Sequence, residues 1–220
     1  MKLSIDPERL RAVFDGLYAM HGPAGWWPAE TRFEILIGAV LTQNTAWSNV
    51  EKALAGLREC GWLAPETILD APEAELAAAI RPSGYFNIKA RRLRNLCRWF
   101  LEAGGFPALE RLDTGSLREA LLSVNGVGRE TADDILVYAF ERPVFVVDAY
   151  TWRIFERLGL IAERAGYEAL RAGVEAAAPG ADADFFNELH ALLVIHGNRL
   201  CRPKPLCGAC TLRDTCPAAS

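Results

Sequence analysis

The segment LLSVNGVGRETADDILVYA, residues 121–139, places two glycines one residue apart between two stretches with helical periodicity. Gly126 and Gly128 favour a tight turn, because glycine adopts backbone conformations that other residues avoid. The free N–H groups and positive dipole end of the following helix would then favour an anion such as a DNA phosphate. The same residues also suit an ordinary turn between packed helices. Glu130 either supplies a carboxylate to a site or stabilises the helix N-terminus electrostatically.

A second acidic residue follows this segment. Asp148 lies in the apolar run PVFVVDAY, residues 143–150, which we interpret as an extended connector because no partner strand is evident. A carboxylate next to apolar residues is poorly solvated. Asp148 therefore either caps the helix that we predict over residues 151–158 or acts as a catalytic group.

Helical periodicity extends through most of the chain. Apolar residues recur at three- and four-residue spacing, and Gly or Pro separates the segments. The predicted helices are 32–57, 73–80, 88–101, 117–122, 131–140, 151–158, 168–177 and 184–196. The sequence therefore predicts an all-α fold.

Composition and charge limit the class of protein. The chain has 220 residues, of which 51% are hydrophobic, so it can bury the core of one domain or of two small ones. No run approaches the roughly 18 apolar residues of a membrane span, and the charged N-terminus is unlike a signal peptide. We expect a cytoplasmic protein. Because the net charge is -4, contact with nucleic acid needs a local basic face, which we place at residues 89–98, KARRLRNLCR.

The six cysteines fall into two groups. Cys60 and Cys97 lie in helix-period segments, where we predict small buried hydrophobic residues. The other four form a C-x5-C-x2-C-x5-C pattern in a Pro- and Gly-rich loop, and they are Cys201, Cys207, Cys210 and Cys216. Four thiolates at this spacing suit an iron-sulfur cluster or zinc. Structural zinc usually has two C-x2-C pairs and this loop has one, which favours the cluster and leaves zinc and free thiols as alternatives.

Together these motifs resemble a known superfamily. The chain resembles the helix-hairpin-helix DNA glycosylases, including endonuclease III, in the order of its features. These are a helix, the hairpin NGVG, a second helix, the segment VVDAY and four C-terminal cysteines. The resemblance covers nearly the whole chain and implies an all-α, two-domain fold. Its parts would be a six-helix barrel over residues 25–140, with the hairpin motif at about 117–140, and a terminal-helix domain over 1–24 and 141–220. The second domain would carry a 4Fe-4S cluster in loop 201–216.

The resemblance also implies a reaction. It indicates a monomeric base excision repair enzyme that binds double-stranded DNA with a damaged base, and it assigns the catalytic carboxylate to Asp148. Bifunctional members carry a nucleophilic lysine two residues after the second hairpin glycine, where this chain has Glu130. A carboxylate cannot form a Schiff base, so we expect a monofunctional glycosylase without AP lyase activity. The four lysines do not match the position, and they are Lys2, Lys52, Lys89 and Lys204.

Four segments indicate a subgroup, the 3-methyladenine DNA glycosylases related to endonuclease III. These segments are 25–45, 41–54, 81–93 and 125–136. In that subgroup an acid follows the hairpin, and the residues that line the base pocket match Trp26, Trp27, Pro28 and Trp47. Electron-rich rings would hold a positively charged methylated adenine by stacking and cation-π attraction. The alternative for residues 26–28 is a core staple ahead of a helix.

The resemblance further assigns contacts with DNA. Gln43 or Asn44 would fill the space left by the flipped base, although helix C-capping is an alternative. Tyr85 or Phe86 would wedge the opposite strand, although simple packing is an alternative. The complete set of implied DNA-binding residues is Gln43, Asn44, Tyr85, Phe86, Asn125, Gly126, Val127, Gly128, Arg129, Arg202 and Lys204.

Two other functions remain open. One is an endonuclease III homologue that acts weakly on oxidised pyrimidines or abasic sites. The other is a non-catalytic protein that binds damaged DNA.

The loop between Cys201 and Cys207 is one residue shorter than in the endonuclease III pattern.

Overall fold

The computed structural model describes residues 3–162 and 165–219, and these residues form helices and connecting segments with no β-strand among them. Lys2 lies outside the described residues. The helices are α1 Pro7–His21, α2 Arg32–Leu41, α3 Trp47–Glu59, α4 Pro65–Asp70, α5 Glu73–Ala79, α6 Phe86–Glu102, α7 Gly105–Leu109, α8 Thr114–Leu122, α9 Arg129–Asp134, α10 Ala149–Arg157, α11 Tyr167–Ala177 and α12 Ala183–Arg199. The predicted all-α fold is confirmed. In the described part of the chain, every helix is too short or too polar to cross a membrane.

The chain divides into two compact units. The central unit comprises Ala29–Phe140, and the terminal unit comprises Met1–Pro28 and Glu141–Ser220. Helix α2 is the most deeply buried helix of the central unit, since almost all of its residues are inaccessible to solvent. Apart from Arg32 and Glu34 in its first turn, α2 is apolar on every face, as expected of a helix inside a core.

The core of the terminal unit joins distant parts of the sequence. Leu10 and Leu17 of α1 pack in one cluster with Phe155 of α10 and with Leu189 and Leu193 of α12. Each of these side chains is at most 1% exposed. Burying a leucine or phenylalanine stabilises a fold by about 1.5–3 kcal/mol, so this cluster holds the two chain segments together. Residues 143–148 form a connector without helix or strand pairing, and Asp148 at its end is extended.

Several helix predictions need correction. The helix predicted over 32–57 is two helices, because Thr42 donates its hydroxyl to the Gly38 carbonyl at 2.6 Å and Asn44 adopts a left-handed φ of 55°. The helix predicted over 131–140 begins at Arg129 and continues through a π-helical turn, Ile135–Ala139. Helices α1, α4 and α7 were not predicted. Helices α4 and α7 are too short to give a clear apolar periodicity, whereas α1 does show it, at Leu10, Val13, Phe14 and Leu17.

One cysteine prediction is confirmed and the other is wrong. Cys97 is fully buried on α6, and burial raises the pKa of its thiol to about 12. Cys60 is exposed. It caps the C-terminus of α3, where Gly61 turns the chain away with a φ of 72°, so the apolar face of the helix ends one turn earlier at Leu57.

The predicted basic face is also partly wrong, because Lys89 is only 1% exposed. Its ammonium group donates to the carbonyls of Leu41, at 2.8 Å, and Ser83, at 2.7 Å. Leu41 is the last residue of α2, so Lys89 satisfies a carbonyl that the helix leaves open. Burial, with a smaller contribution from Arg92, lowers the pKa of Lys89 to about 8.

This depressed pKa predicts a rise in stability in alkaline solution. Between pH 8 and about 10.4, the unfolded chain keeps its proton on Lys89 while the folded chain loses it, so the free energy of unfolding increases with pH. We expect Lys89→Met to remove about 1 kcal/mol of this increase per pH unit, measured by urea unfolding at pH 8.5 and 9.5. The exposed Lys52→Met is the control and should keep the pH dependence of the unmutated chain. Equal pH slopes for all three proteins would contradict the prediction.

Candidate active site and cysteine loop

The hairpin lies in the central unit between α8 and α9. Gly126 has a φ of 103°, and a Cβ there would overlap the side chain of Arg92, so both the conformation and the space require glycine. Gly128 differs, because its φ is -92° and a Cβ would meet nothing within 4 Å. Val127 between them is buried and anchors the turn. The open space at Gly128 leaves the backbone at the start of α9 accessible.

Gln43 braces this hairpin from the loop after α2. Its amide nitrogen donates to the Gly126 carbonyl at 2.9 Å and to the Thr131 hydroxyl at 3.0 Å. Its amide oxygen accepts a hydrogen bond from Arg92. Three hydrogen bonds at one amide fix its orientation. Gln43 therefore connects α6, the α2–α3 loop and the hairpin. The C-cap of α2 is Thr42 and not Gln43.

A surface cavity of about 480 Å³ brings several of the predicted residues together. Gln43, Asn44, Gly126–Gly128, Arg129 and Glu130 all line it. Asn44 and Glu130 are exposed, with Asn44 in the left-handed conformation and Glu130 in the first turn of α9. The central unit thus gathers the hairpin, the candidate plug residues and the predicted acid in one place. Asn125 is also exposed, and its carbonyl accepts from Asn95 at 3.1 Å.

The predicted wedge residues lie at the start of α6. Tyr85 is 68% exposed and has a left-handed φ of 46°, which costs free energy for a bulky residue. Simple core packing therefore does not describe Tyr85. Phe86 is half-buried, with the Arg81 guanidinium 6.0 Å from the centre of its ring. Trp47 is half-buried at the start of α3, where its indole N–H donates to Glu51 at 3.1 Å.

The basic face of α6 consists of arginines. Arg91, Arg92, Arg94 and Arg98 line a second cavity of about 490 Å³ that also reaches Asn125 and Gly126 of the hairpin. Arg94 is partly used internally, since it donates to the Ala71 carbonyl at 2.9 Å. Arg91 and Arg98 are exposed. Although the net charge of the chain is -4, positive charge is thus concentrated beside the hairpin.

The terminal unit contains the Trp-Trp-Pro segment. Trp26 and Trp27 are half-buried, with ring centroids 6.2 Å apart in an edge-on arrangement, and Pro28 is exposed. Glu188 of α12 anchors the preceding chain by accepting from the Ala24 N–H at 2.7 Å. The segment has no regular secondary structure.

Asp148 is 7% exposed and is the residue immediately before α10. One carboxylate oxygen, Oδ1, accepts from the backbone N–H of Thr151 at 2.7 Å and from its hydroxyl at 2.9 Å. The other, Oδ2, lies 3.8 Å from Nε2 of His190. Asp148 is therefore a helix cap, and the cap leaves Oδ2 for another role.

The environment of Asp148 keeps it ionised. Burial alone would raise the pKa of this carboxyl, but the interactions with His190 and Thr151 outweigh burial, and the pKa lies below its ordinary value. A buried carboxylate that stays negative at neutral pH can stabilise a developing positive charge in a site with little water.

The four cysteines of the C-terminal loop are half-buried and line one cavity with Arg157, His196 and several leucines. Arg157 donates to Sγ of Cys201 at 3.3 Å and to the carbonyls of Arg202, at 2.7 Å, and Pro203, at 3.0 Å. Nε2 of His196 lies 3.7 Å from Sγ of Cys210. Within residues 3–162 and 165–219, no three His, Cys, Asp or Glu side chains are close enough to hold a single metal ion.

Helix α10 connects this loop to the candidate catalytic residue. Arg153 donates to the carbonyl of Cys201 at 2.8 Å and to that of Gly197 at 3.0 Å. Asp148 precedes the same helix. Arg202 and Lys204 in the loop are exposed, as a contact with DNA backbone would require. Sequence reasoning missed Arg153, Arg157 and His190, whose only indication was charge or a histidine on an amphipathic helix.

Comparison with known proteins places these features in a family. Residues 37–179 match the model of the HhH-GPD superfamily of base excision DNA repair proteins. A candidate DNA repair glycosylase of Methanocaldococcus jannaschii is 44% identical over 212 residues, 95% of this chain and 96% of that protein. Endonuclease III of Thermotoga maritima is 33% identical over 185 residues, 84% of this chain and 82% of that protein.

A solved structure gives the same result. The 3-methyladenine DNA glycosylase of H. pylori, bound to 1,N6-ethenoadenine, has a TM-score of 0.74 with 32% identity, over 89% of this chain and 98% of that one. The predicted resemblance to the helix-hairpin-helix glycosylases is confirmed. The chain belongs to the HhH-GPD superfamily of base excision DNA repair proteins and is a DNA glycosylase of the endonuclease III type.

Proposed function

We propose that this glycosylase hydrolyses the N-glycosidic bond of a flipped, alkylated purine, with 3-methyladenine as the leading substrate, and that it has no AP lyase activity. The observation that carries this proposal is the buried, ionised carboxylate of Asp148. The similarity to a 3-methyladenine DNA glycosylase supports the substrate class.

The reaction requires the damaged nucleotide to leave the duplex. Flipping costs a few kcal/mol, and side chains that enter the resulting gap offset the cost. Asn44 and Tyr85 suit this task because both are exposed and both hold left-handed conformations that project them from the ends of helices. The open backbone at Gly128 and the arginines of α6 would bind phosphates, with Arg202 and Lys204 as further contacts.

Asp148 would then stabilise the sugar. When the N-glycosidic bond breaks, its electron pair leaves with the cationic base, which becomes neutral, and positive charge develops on the deoxyribose. The negative Oδ2 of Asp148 offsets that charge. Water adds to C1′ and transfers a proton to the carboxylate and then to solvent, which leaves an abasic site. A cationic base is a good leaving group, so a separate general acid is not needed.

Recognition of the base and the absence of lyase activity follow from other residues. Trp26, Trp27 and Trp47 offer electron-rich rings, and each cation-π contact contributes about 0.5–2 kcal/mol. Glu130 adds negative charge in place of the lysine that bifunctional relatives use. Since a carboxylate cannot form a Schiff base with the sugar, the strand stays intact.

We also propose that the terminal unit is the 4Fe-4S domain. The donor set fits the group, because four cysteines line one cavity and Arg157 already donates to Sγ of Cys201 at 3.3 Å. Cys201, Cys207, Cys210 and Cys216 would hold the cluster, and the bound cluster would cross-link the loop through iron–thiolate bonds. The central unit would correspond to the six-helix barrel.

Base release from defined DNA tests the proposed function. The purified chain would be incubated with duplexes that contain 3-methyladenine, 1,N6-ethenoadenine, an oxidised pyrimidine or an abasic site, and released bases would be separated by chromatography. Borohydride trapping on the same duplexes would detect a Schiff base. We expect release of 3-methyladenine without trapping.

A second candidate function is supported by the similarity to endonuclease III. Release of oxidised pyrimidines with covalent trapping would establish it and overturn the alkylpurine proposal. Binding of damaged duplex without release of any base would indicate a damage-binding protein.

The accessible backbone at Gly128 leads to a separate prediction. If a phosphate binds there, the methyl group of Gly128→Ala would hold it away from the N–H groups, and we expect about 10-fold weaker binding of duplex DNA, measured by fluorescence anisotropy. Gly166→Ala is a matched control, because Gly166 also precedes a helix, has a φ of -64° and has open space around it. Equal affinities of the two variants would argue against phosphate binding at the hairpin.

A further inference from the structure

Helix α12 presents a buried histidine to the candidate catalytic carboxylate. His190 is 6% exposed, and its Nε2 lies 3.8 Å from Oδ2 of Asp148. Helices α10 and α12 pack directly against each other within the terminal unit. Two rigid helices therefore set the distance between the imidazole and the carboxylate.

The two oxygens of Asp148 have different partners. Thr151 holds Oδ1 with its N–H and its hydroxyl, at 2.7 and 2.9 Å. These contacts limit rotation of the carboxylate through Oδ1, but they place no donor on Oδ2. A donor facing Oδ2 adds an attraction at the oxygen that the helix cap does not use.

The chemistry of both groups supports this role. An ionised carboxylate in an apolar setting needs hydrogen-bond donors, and replacing the imidazole by an apolar group would leave Oδ2 desolvated. A neutral imidazole with its proton on Nε2 and an imidazolium can both donate to Oδ2. The lowered pKa of Asp148, despite its burial, agrees with a stabilising partner at this position.

We infer that His190 is a positioning residue whose Nε2 faces Oδ2 of Asp148 across 3.8 Å and, by its attraction for that oxygen, orients the carboxylate toward the reacting sugar. This inference rests on the proposed function, since it assigns Asp148 to the chemical step. His190 itself need not touch the substrate.

A pair of substitutions tests the inference. His190→Leu removes the donor and introduces an apolar side chain suited to a helix, whereas His190→Gln keeps an N–H donor at a similar distance from the backbone. We expect single-turnover base release to fall about 100-fold in His190→Leu and to stay within about 5-fold in His190→Gln, because a small misplacement of a reacting group has an effect of this size. Affinity for duplex DNA with a tetrahydrofuran abasic analogue should change by less than about 2-fold, or about 0.4 kcal/mol, in both.

Equal losses in both variants, together with weaker DNA binding and lower thermal midpoints, would show that His190 only fills the core and would overturn the inference. An unchanged rate in His190→Leu would also overturn it.

A measurement that does not depend on activity separates this inference from the proposed function. Carbon-13 NMR would follow the carboxyl resonance of Asp148, assigned by its loss in Asp148→Asn. We expect the titration midpoint to move to higher pH in His190→Leu and to stay near the original value in His190→Gln. If the unmutated chain releases no base while this shift appears, the proposed function is wrong, but the interaction between His190 and Asp148 is supported. If base is released and the midpoint does not move, the inference fails alone.

Discussion

Replacing Asp148 with asparagine is expected to lower the single-turnover rate of base release by about 1,000-fold while the protein stays folded. The negative charge of Oδ2 is lost, and removing one preorganised electrostatic group from an active site commonly costs two to three orders of magnitude. The helix cap persists, because asparagine caps helices about as well as aspartate and its amide oxygen can still accept from Thr151.

A matched cap substitution separates the two roles of this residue. Asp182 caps α12 in the same way, with its carboxylate accepting from the Phe185 N–H at 2.9 Å, but it is exposed. Asp182→Asn should keep full activity, and the thermal midpoints of both variants should remain near that of the unmutated chain. If Asp148→Asn retains more than about a tenth of the rate, Asp148 is a cap and not the catalytic carboxylate.

Removing one thiol of the cysteine loop is expected to abolish binding of the proposed cluster and to destabilise the terminal unit by more than about 3 kcal/mol. The loop between residues 200 and 219 has short helical turns and little apolar burial, with Leu212 as its main buried side chain. Such a segment depends on cross-links more than on its own core. Cys207→Ser is the test variant, measured by iron and sulfide content, visible absorption and thermal unfolding.

Cys60→Ser is the control, because Cys60 is exposed and lies in the central unit. It should leave metal content and stability unchanged. A stoichiometric zinc content without a visible absorption band would show that the loop holds zinc and not an iron-sulfur cluster. Equal stability of both variants, with no metal in the unmutated chain, would show that the four cysteines are free thiols that bind no metal.

Local patterns predicted much of the fold and some of the candidate site. The hairpin glycines and the capping aspartate have local causes, namely a required backbone conformation and a helix start, so the sequence around Gly126 and Asp148 is sufficient to find them. Apolar periodicity likewise located most helices, since it reports which face of a helix is buried.

Contacts between distant residues were not predictable in the same way. Lys89 bonds the Leu41 carbonyl 48 positions away, and Gln43 braces Gly126 from 83 positions away. Neither pairing leaves a local pattern, so a buried lysine was assigned to a basic surface. Apolar periodicity also predicts which face of a helix is buried but not how deeply each residue on that face is buried. The sequence therefore predicts a buried Cys60, although Cys60 lies exposed at a helix end.

The discontinuous make-up of the terminal unit has a consequence for the order of synthesis and folding. Leu10 and Leu17 are made before the central unit, but their core partners Leu189 and Leu193 are made after it. The central unit is continuous in sequence, and Arg32 near its start donates to the carbonyl of Ala139 near its end at 2.8 Å. When the central unit folds, it therefore closes the long intervening loop and lowers the entropic cost for the outer segments to meet. Proteolysis of ribosome-stalled nascent chains should find the central unit protected before α1 is.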